Sequence, residues 1–252
     1  MKKLFTLSLV TLISSSVAFL FLPYISASLS MASFADYSLL YSLSAVLSGV
    51  YIFGTTASYS LAAAEKNDTY ASDSVQMFYT VNVFLTVFAF LATLIAIIGF
   101  NISWALLALP LLISGRSVFQ VTSHYFRVNK NTSKFACYQI ITLTASFLVP
   151  LICSELIEEF SGIDFIAVMS FILLAAACVG FGVLYNAGLL KFTLINPLKI
   201  TFFRFGLFAA LHSLAAALIT IMDRFILIGF IEKQVFALYA LAATIASALS
   251  LF

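Results

Sequence analysis

The chain has 252 residues, of which 63% are hydrophobic and only 9% are charged, and its formal net charge is +2. Soluble domains carry about 25% charged residues, so the composition predicts an integral membrane protein and excludes an ordinary soluble enzyme. The small net charge gives no reason to expect a nucleic-acid partner.

Long apolar runs follow one another along the whole chain. A helix crosses the hydrocarbon layer with about 20 mostly apolar residues, and seven complete spans are predicted by this criterion. They cover residues 4–26, 37–63, 74–99, 103–126, 135–154, 165–189 and 204–231. An eighth span starts near Ala237 and is incomplete at Phe252, so we expect the chain to be part of a longer protein. The first span exceeds the apolar core of a cleaved signal peptide, roughly 7–15 residues, and we expect it to remain in place.

The basic residues lie in alternate loops. One side of the predicted topology holds nine of them, and on the other side Lys233 is the only base. The nine are Lys2, Lys3, Lys66, Arg127, Lys130, Lys134, Lys191, Lys199 and Arg204. Because Lys and Arg concentrate in cytoplasmic loops, the pattern predicts a cytoplasmic N-terminus.

Motifs of soluble catalysis are missing from the sequence. It has no P-loop, no Gly-rich dinucleotide turn, no GxSxG elbow and no His/Cys/Asp cluster with metal-ligand spacing. Cys137, Cys153 and Cys178 lie in apolar stretches, and we interpret them as small hydrophobic residues. We therefore predict a protein that is not an enzyme, with no catalytic residue, no bound metal and no cofactor.

Arg116 is the first charged residue that falls deep inside a predicted span. It lies about 20 Å along the helix from Ser103, too far for easy extension to that surface. Two interpretations stay open. The guanidinium projects into a cavity, or its long stem reaches the cytoplasmic interface.

His212, Asp223 and Arg224 are polar residues of the seventh span. His212 and Asp223 are 11 residues apart, which places them on one face of a regular helix about 16 Å apart. Asp223 and Arg224 differ by about 100° of rotation and do not face each other. The pair either lines a polar route or pairs with neighbouring helices, and His212 is either a hydrogen-bonding residue of the bundle or a proton carrier.

The segment FRFGLFAALHSLAAALITIMDRFILIGFIEKQVFALYALAATIA, residues 203–246, contains the Asp223-Arg224 pair, then a short outer loop, then Tyr239. Together with Leu22-Pro23 and the following FADYSLLYSLSAVLSGVYIFGTTASYSLAAAEKND, it resembles the O-antigen and capsule flippases. These form the polysaccharide-transporter branch of the multidrug/oligosaccharidyl-lipid/polysaccharide exporter superfamily.

The resemblance implies an all-α, polytopic membrane helical bundle, the first half of the MOP/MATE-like fold plus the start of the second half. Residues 1–190 would form the N-terminal six-helix transmembrane bundle. Residues 191–252 would supply the inner loop, the seventh helix and an incomplete eighth helix. Since alternating access needs both halves, we expect this chain to be inactive alone.

The implied function is the flipping of an undecaprenyl-diphosphate-linked oligosaccharide, an O-antigen (lipopolysaccharide) or capsule repeat unit, across the bacterial inner membrane. Arg116 and Arg224 are the candidate contacts of the substrate diphosphate, since Arg holds phosphate by bidentate hydrogen bonds. Asp223 and His212 are candidates for ion coupling or helix pairing. The expected partners are the polyprenyl-diphosphate-linked oligosaccharide and the lipid bilayer, and the resemblance also allows a polysaccharide polymerase and a chain-length regulator.

Three alternatives remain. A drug or ion antiporter of the same superfamily would use buried acids for a cationic substrate. A membrane-embedded glycan polymerase or acyltransferase would need a substantial outer loop or clustered catalytic residues, and the longest outer loop has about ten residues by the predicted span limits. A passive structural subunit is the third alternative.

Overall fold

The computed structural model of the protein describes residues 2–190 and 200–249. This part is helical and confirms the predicted all-α polytopic membrane bundle. Its helices are α1 (Lys2–Ser28), α2 (Met31–Ile52), α3 (Thr55–Ala64), α4 (Asp68–Phe100), α5 (Ala108–Val128), α6 (Thr132–Leu156), α7 (Gly162–Asn186), α8 (Ile200–Leu227) and α9 (Lys233–Leu249). A 3-10 turn, Trp104–Leu107, precedes α5. The predicted basic residues Lys191 and Lys199, the beginning of the predicted second unit at residue 191, and Phe252 lie outside the described residues.

Within the described ranges, four helical stretches are long and apolar enough to cross a membrane. They are Asp68–Phe100, Trp104–Val128, Thr132–Leu156 and Gly162–Asn186. The number rises to six if each of two bent helix pairs counts as one span. One bent pair is α2 with α3, at 44°, and the other consists of two parts of α8, Phe205–Ala216 and Ile221–Leu227, at 60°. The sequence predicted a single regular span in each of these two places.

The break between α2 and α3 has a backbone cause. Phe53 and Gly54 both have left-handed φ angles, 50° and 69°. Glycine reaches this region without a steric penalty, whereas a residue with a side chain does so at some cost. The Phe53 N–H donates to the Val50 carbonyl, which ends α2, and α3 then starts in a new direction.

Polar side chains fix where three of the later helices begin. Asn67 accepts from the Tyr70 N–H at the start of α4, and Asn131 accepts from the Lys134 N–H at the start of α6. Before α7, Ser161 and Asp164 form a reciprocal capping box. Such caps satisfy backbone donors that have no partner within the helix.

Two contacts define the two ends of the bundle. At one end the start of α7 lies so close to α2 that a Cβ on Gly162 would overlap the Ser33 carbonyl oxygen. At the other end Ser72 of α4 donates to the Leu189 carbonyl, at 3.1 Å. The helices therefore run alternately between the same two ends, as the loop pattern predicted.

Exposed lysines are more numerous at one of these two ends than at the other, although Glu65 and Asp68 are also exposed there. The exposed bases Lys66, Lys130 and Lys134 lie at the end that carries Leu189, which we call the basic end. The N-terminal part of α1 also lies there, since Leu7 packs with Phe126 near the end of α5. The opposite, acidic end carries the exposed carboxylates that flank the α6–α7 connection, Glu155, Glu158 and Glu159.

The surface of α4 is suited to lipid. In an 18-residue apolar segment of α4, only 6% is buried inside the protein. Phe84, Phe88 and Ile95 are largely exposed. In contrast, α2 is central and contacts α5 and α7 as well as α8 and α9. The polar groups that α2 presents to these neighbours form the candidate site.

Candidate functional site

Arg116 lies at the midpoint of a membrane-spanning stretch. It is 12 residues from either end of Trp104–Val128, or about 18 Å along the helix at 1.5 Å per residue. Its Nη1 donates to the Ser44 hydroxyl of α2 at 3.2 Å, and its Cζ lies 4.7 Å from the centre of the Tyr41 ring. The guanidinium contacts α2 and does not extend to the basic end, and Arg116 is not among the residues that line the cavity described below.

The partners of Arg116 are uncharged. The Ser44 hydroxyl donates its own proton to the Tyr41 carbonyl, at 2.7 Å, so its lone pairs can accept from the guanidinium. The Tyr41 ring adds a cation–π contact, which is favourable within about 6 Å of the ring centroid. In the described part of the chain, no carboxylate forms an ion pair with Arg116. The positive charge at mid-membrane is therefore solvated locally but not neutralised.

Arg224 connects the second unit to α2. Its Nη1 donates to the Ser42 hydroxyl at 2.7 Å, and its Nη2 donates to the Thr244 hydroxyl of α9 at 3.3 Å. It is half-buried near the end of α8. Like Arg116, it forms no ion pair with a carboxylate among the described residues.

The two arginines approach α2 from different sides. Their acceptors, Ser42 and Ser44, are two residues apart, which corresponds to about 200° of rotation and 3 Å of rise. Arg116 and Arg224 therefore lie at similar depth with α2 between them. Arg116 and Arg224, the predicted phosphate contacts, both hydrogen-bond to α2, but their two guanidinium groups do not lie on a common face of that helix.

Asp223 forms its contact on α9 instead of with its neighbour in sequence. The Tyr239 hydroxyl donates a hydrogen bond to Asp223 Oδ2. The other carboxylate oxygen, Oδ1, is buried and has no hydrogen-bond partner among the described residues. Asp223 and Arg224 thus have separate partners, which follows from their rotation around the helix.

His212 is not brought to this group. Its side chain is exposed, and it belongs to the part of α8 that precedes the 60° bend. The prediction that His212 and Asp223 share a face assumed a straight helix, and the bend separates the two residues. The proposed role of His212 in ion coupling has no supporting contact in the structure.

A polar cavity near the basic end is lined by residues that were not predicted from the sequence. It has a volume of about 440 Å³ and lies between α1, the α2–α3 break, α5 and α6. Eight of its lining residues have side-chain nitrogen or oxygen atoms suited to hydrogen bonding: Thr11, Thr56, Ser60, Gln120, Ser123, His124, Arg127 and Gln139. No acidic residue is among the described residues that line it.

His124 is held between two partners in this cavity. Arg127 Nη2 lies 2.9 Å from His124 Nδ1, and the Ser60 hydroxyl lies 2.8 Å from His124 Nε2. A guanidinium only donates, so Nδ1 accepts, and we infer that the proton is on Nε2. Ser60 can accept that proton because its own hydroxyl proton is donated to the Thr56 carbonyl, at 2.9 Å. The geometry thus indicates a neutral imidazole.

Residue spacing could have identified part of this cavity. Arg116, Gln120, Ser123 and Arg127 are separated by four, three and four residues, which places them within about 60° of one another on α5. The stripe runs from the basic end to the middle of the span. Gln139 of α6 lines the same cavity as three of these residues, Gln120, Ser123 and Arg127. Residue spacing within one helix cannot predict that a residue of another helix lies beside it.

Among the described residues, no cluster of three or more His, Cys, Asp or Glu side chains is placed to hold a metal ion. The three cysteines are free, and Cys137 and Cys178 are exposed on the bundle surface. Comparison with known protein families, curated proteins and solved structures gives no match to the chain.

Proposed function

We propose that the protein takes part in flipping a polyprenyl-diphosphate-linked oligosaccharide, an O-antigen or capsule repeat unit, from the inner to the outer leaflet of a bacterial inner membrane. The observation that carries the proposal is Arg116, a guanidinium at the midpoint of a span with a hydroxyl and an aromatic ring as partners. A charge in this position costs several kcal/mol, roughly 2.5–3.5 on insertion scales. A guanidinium at this costly position is explained if it binds an anionic substrate that crosses the membrane.

The polar stripe of α5 supports a route for such a substrate. It offers two guanidinium groups, Arg127 near the basic end and Arg116 at the centre, with Gln120 and Ser123 between them. Because the stripe has donors and no carboxylate, it attracts a diphosphate and does not repel it. In this proposal the basic end is cytoplasmic, the N-terminus is inside, and Arg116 receives the diphosphate halfway across.

Arg224 has a different place in the proposal. It lies on the other side of α2, where α8 and α9 contact the first unit. One diphosphate therefore meets Arg116 and Arg224 in succession, or both only after α2 moves. Alternating access between two repeated halves involves movements of this kind.

Restoration of surface polysaccharide in a flippase-null strain tests the proposal. The strain receives the natural gene that encodes this chain, in its parent or variant form. We expect the parent gene product to restore polysaccharide and Arg116→Gln to reduce the transport rate by about 10–100-fold, since hydrogen bonds to charged groups contribute about 1.5–3 kcal/mol. Lys134→Gln, an exposed basic residue outside the stripe, is the matched control. Full activity of Arg116→Gln at equal expression would contradict the proposal.

A drug or ion antiporter is the second candidate, and Asp223 is the observation that favours it. Its Oδ1 atom is buried without a partner, and such an acceptor can bind a proton or a cation. Asp223→Asn then abolishes resistance to a cationic drug, whereas Arg116→Gln leaves it intact. Restoration of surface polysaccharide that depends on Arg116 and not on Asp223, without any gain in drug resistance, supports the flippase.

A further inference from the structure

The cavity at the basic end has the size and composition of a small-molecule site. Its volume of about 440 Å³ lies within the range of about 300–1,000 Å³ that is typical of ligand pockets. Arg127 supplies a positive charge at an exposed position, and the described lining has no acid. This charge pattern favours a neutral or anionic ligand over an amine.

Two buried polar atoms of the lining have no hydrogen-bond partner among the residues that the structure describes. They are the Ser123 hydroxyl oxygen, in a side chain that is 6% exposed, and the Gln139 Oε1 atom. Buried polar groups are nearly always hydrogen-bonded, so these two atoms indicate a missing ligand or solvent group. They are on α5 and α6 respectively, on the two helices that form one wall of the cavity.

The type of missing group follows from hydrogen-bond chemistry. Gln139 Oε1 is an acceptor only, and an ionised phosphate has no proton to donate to it. A hydroxyl group can donate to Gln139 and accept from Ser123 at the same time. The unpaired atoms therefore call for O–H groups, whereas a phosphate suits Arg127.

The remaining walls are consistent with a ring that has both polar and apolar surfaces. Phe119 and Phe135 line the cavity and are themselves almost fully buried. Arg127 uses one of its five N–H donors on His124, and its side chain is exposed, so other donors are accessible to a ligand. A ring bearing hydroxyl groups, joined to a phosphate, matches these positions together.

We propose that this cavity binds a sugar ring through hydroxyl groups at Ser123 and Gln139, with the phosphate attached to that sugar at Arg127. The inference rests on the proposed function, because it takes the sugar to be the one linked to the transported lipid diphosphate. It adds a site for the glycan that is separate from the diphosphate contact at Arg116. Selectivity among sugars then arises at the basic end, before the diphosphate reaches the middle of the membrane.

Equilibrium binding to the protein in lipid nanodiscs tests this site with three probes. The probes are farnesyl diphosphate and its conjugates carrying one glucose or one N-acetylglucosamine on the terminal phosphate. We expect at least one conjugate to bind more tightly than farnesyl diphosphate. Ser123→Ala and Gln139→Leu should each weaken that conjugate about fivefold, the effect of one hydrogen bond, and Gln139→Leu, which lies outside the stripe of α5, should leave farnesyl diphosphate unchanged.

The control variant is Ser154→Ala on α6, whose hydroxyl donates to the Leu151 carbonyl of its own helix, at 2.7 Å. It should not alter the binding of any probe. Ser123→Ala removes a hydroxyl that has no partner, so its thermal unfolding should match that of the parent. Weaker binding then reflects a lost ligand contact and not a folding defect.

Three results overturn the site, and they separate it from the proposed function. Equal binding of all probes, with Arg116→Gln weakening each, removes the sugar site and leaves the diphosphate function standing. Equal weakening of all probes by Ser123→Ala and Gln139→Leu shows that the cavity holds phosphate and not sugar. Absence of binding by every probe contradicts both the sugar site and the proposed function.

Discussion

Tyr239 and Asp223 connect α9 to the C-terminal part of α8 through a hydrogen bond from the Tyr239 hydroxyl to the Asp223 carboxylate. The carboxylate has one further oxygen, buried and without a partner in the described part of the chain. The bond therefore supplies the only hydrogen-bond donor that the structure gives to Asp223. Its loss leaves an acidic group without a donor in an apolar setting.

Tyr239→Phe should lower the free energy of unfolding by about 1 kcal/mol, the net contribution of one hydrogen bond. Thermal unfolding in detergent micelles measures the change, and Tyr24→Phe, an exposed residue of α1, is the control. Replacing both partners by apolar groups is less harmful than removing one. The double variant Tyr239→Phe with Asp223→Leu should therefore recover part of the lost stability, and further loss in the double variant would contradict this account of the bond.

Gly162 and Gly182 belong to the same helix and differ in their surroundings. A Cβ at residue 162 would overlap the Ser33 backbone, whereas a Cβ at residue 182 meets nothing within 4 Å. Gly162→Ala should destabilise the protein by about 1–3 kcal/mol, the usual cost of overpacking. Gly182→Ala should leave the unfolding temperature unchanged or raise it slightly. Similar effects of the two substitutions would show that α7 and α2 are not in close contact at the acidic end.

Much of the fold could be predicted because its main determinants are local in sequence. Apolar runs of span length predict helices, and Asn67 and Asn131 mark helix starts by chemistry that acts over three residues. The alternating sides of the loops also follow from the positions of Lys and Arg. These signals do not depend on which helices become neighbours.

The parts that could not be predicted depend on tertiary contacts. The break after α2 places Phe53 in a left-handed conformation, and a phenylalanine gives no sequence signal for that. Arg224 and Ser42 are 182 residues apart, so the sequence could identify the arginine as unusual but not name its acceptor. The same applies to Gln139, whose significance appears only when α6 lies beside α5.

Lys233 and Asp36 form an ion pair at the acidic end, with a nitrogen–oxygen distance of 2.9 Å. Both side chains are partly exposed, at 56% and 33%, and pairs of this kind contribute about 0–1 kcal/mol. Lys233→Gln should therefore change the free energy of unfolding by less than about 1 kcal/mol, and less still at high salt. A large, salt-independent loss in a denaturation experiment would mean that the pair is shielded from water.

The proposed orientation predicts which end of the bundle is accessible from outside the cell. Single cysteines are placed at Glu158 on the acidic end and at Lys130 on the basic end, both exposed positions. The background has Cys137, Cys153 and Cys178 replaced by Ala, since two of these native thiols are exposed on the bundle surface. A membrane-impermeant maleimide is then added to spheroplasts.

We expect Glu158→Cys to react in intact spheroplasts and Lys130→Cys to react only after the membrane is permeabilised, because bases concentrate on the cytoplasmic side. Lys66→Cys should behave like Lys130→Cys, since both residues lie at the basic end. The reverse labelling pattern would place the cavity near His124 on the outside, and a sugar would then be bound after crossing. The direction of labelling thus decides whether that cavity can act as the loading site.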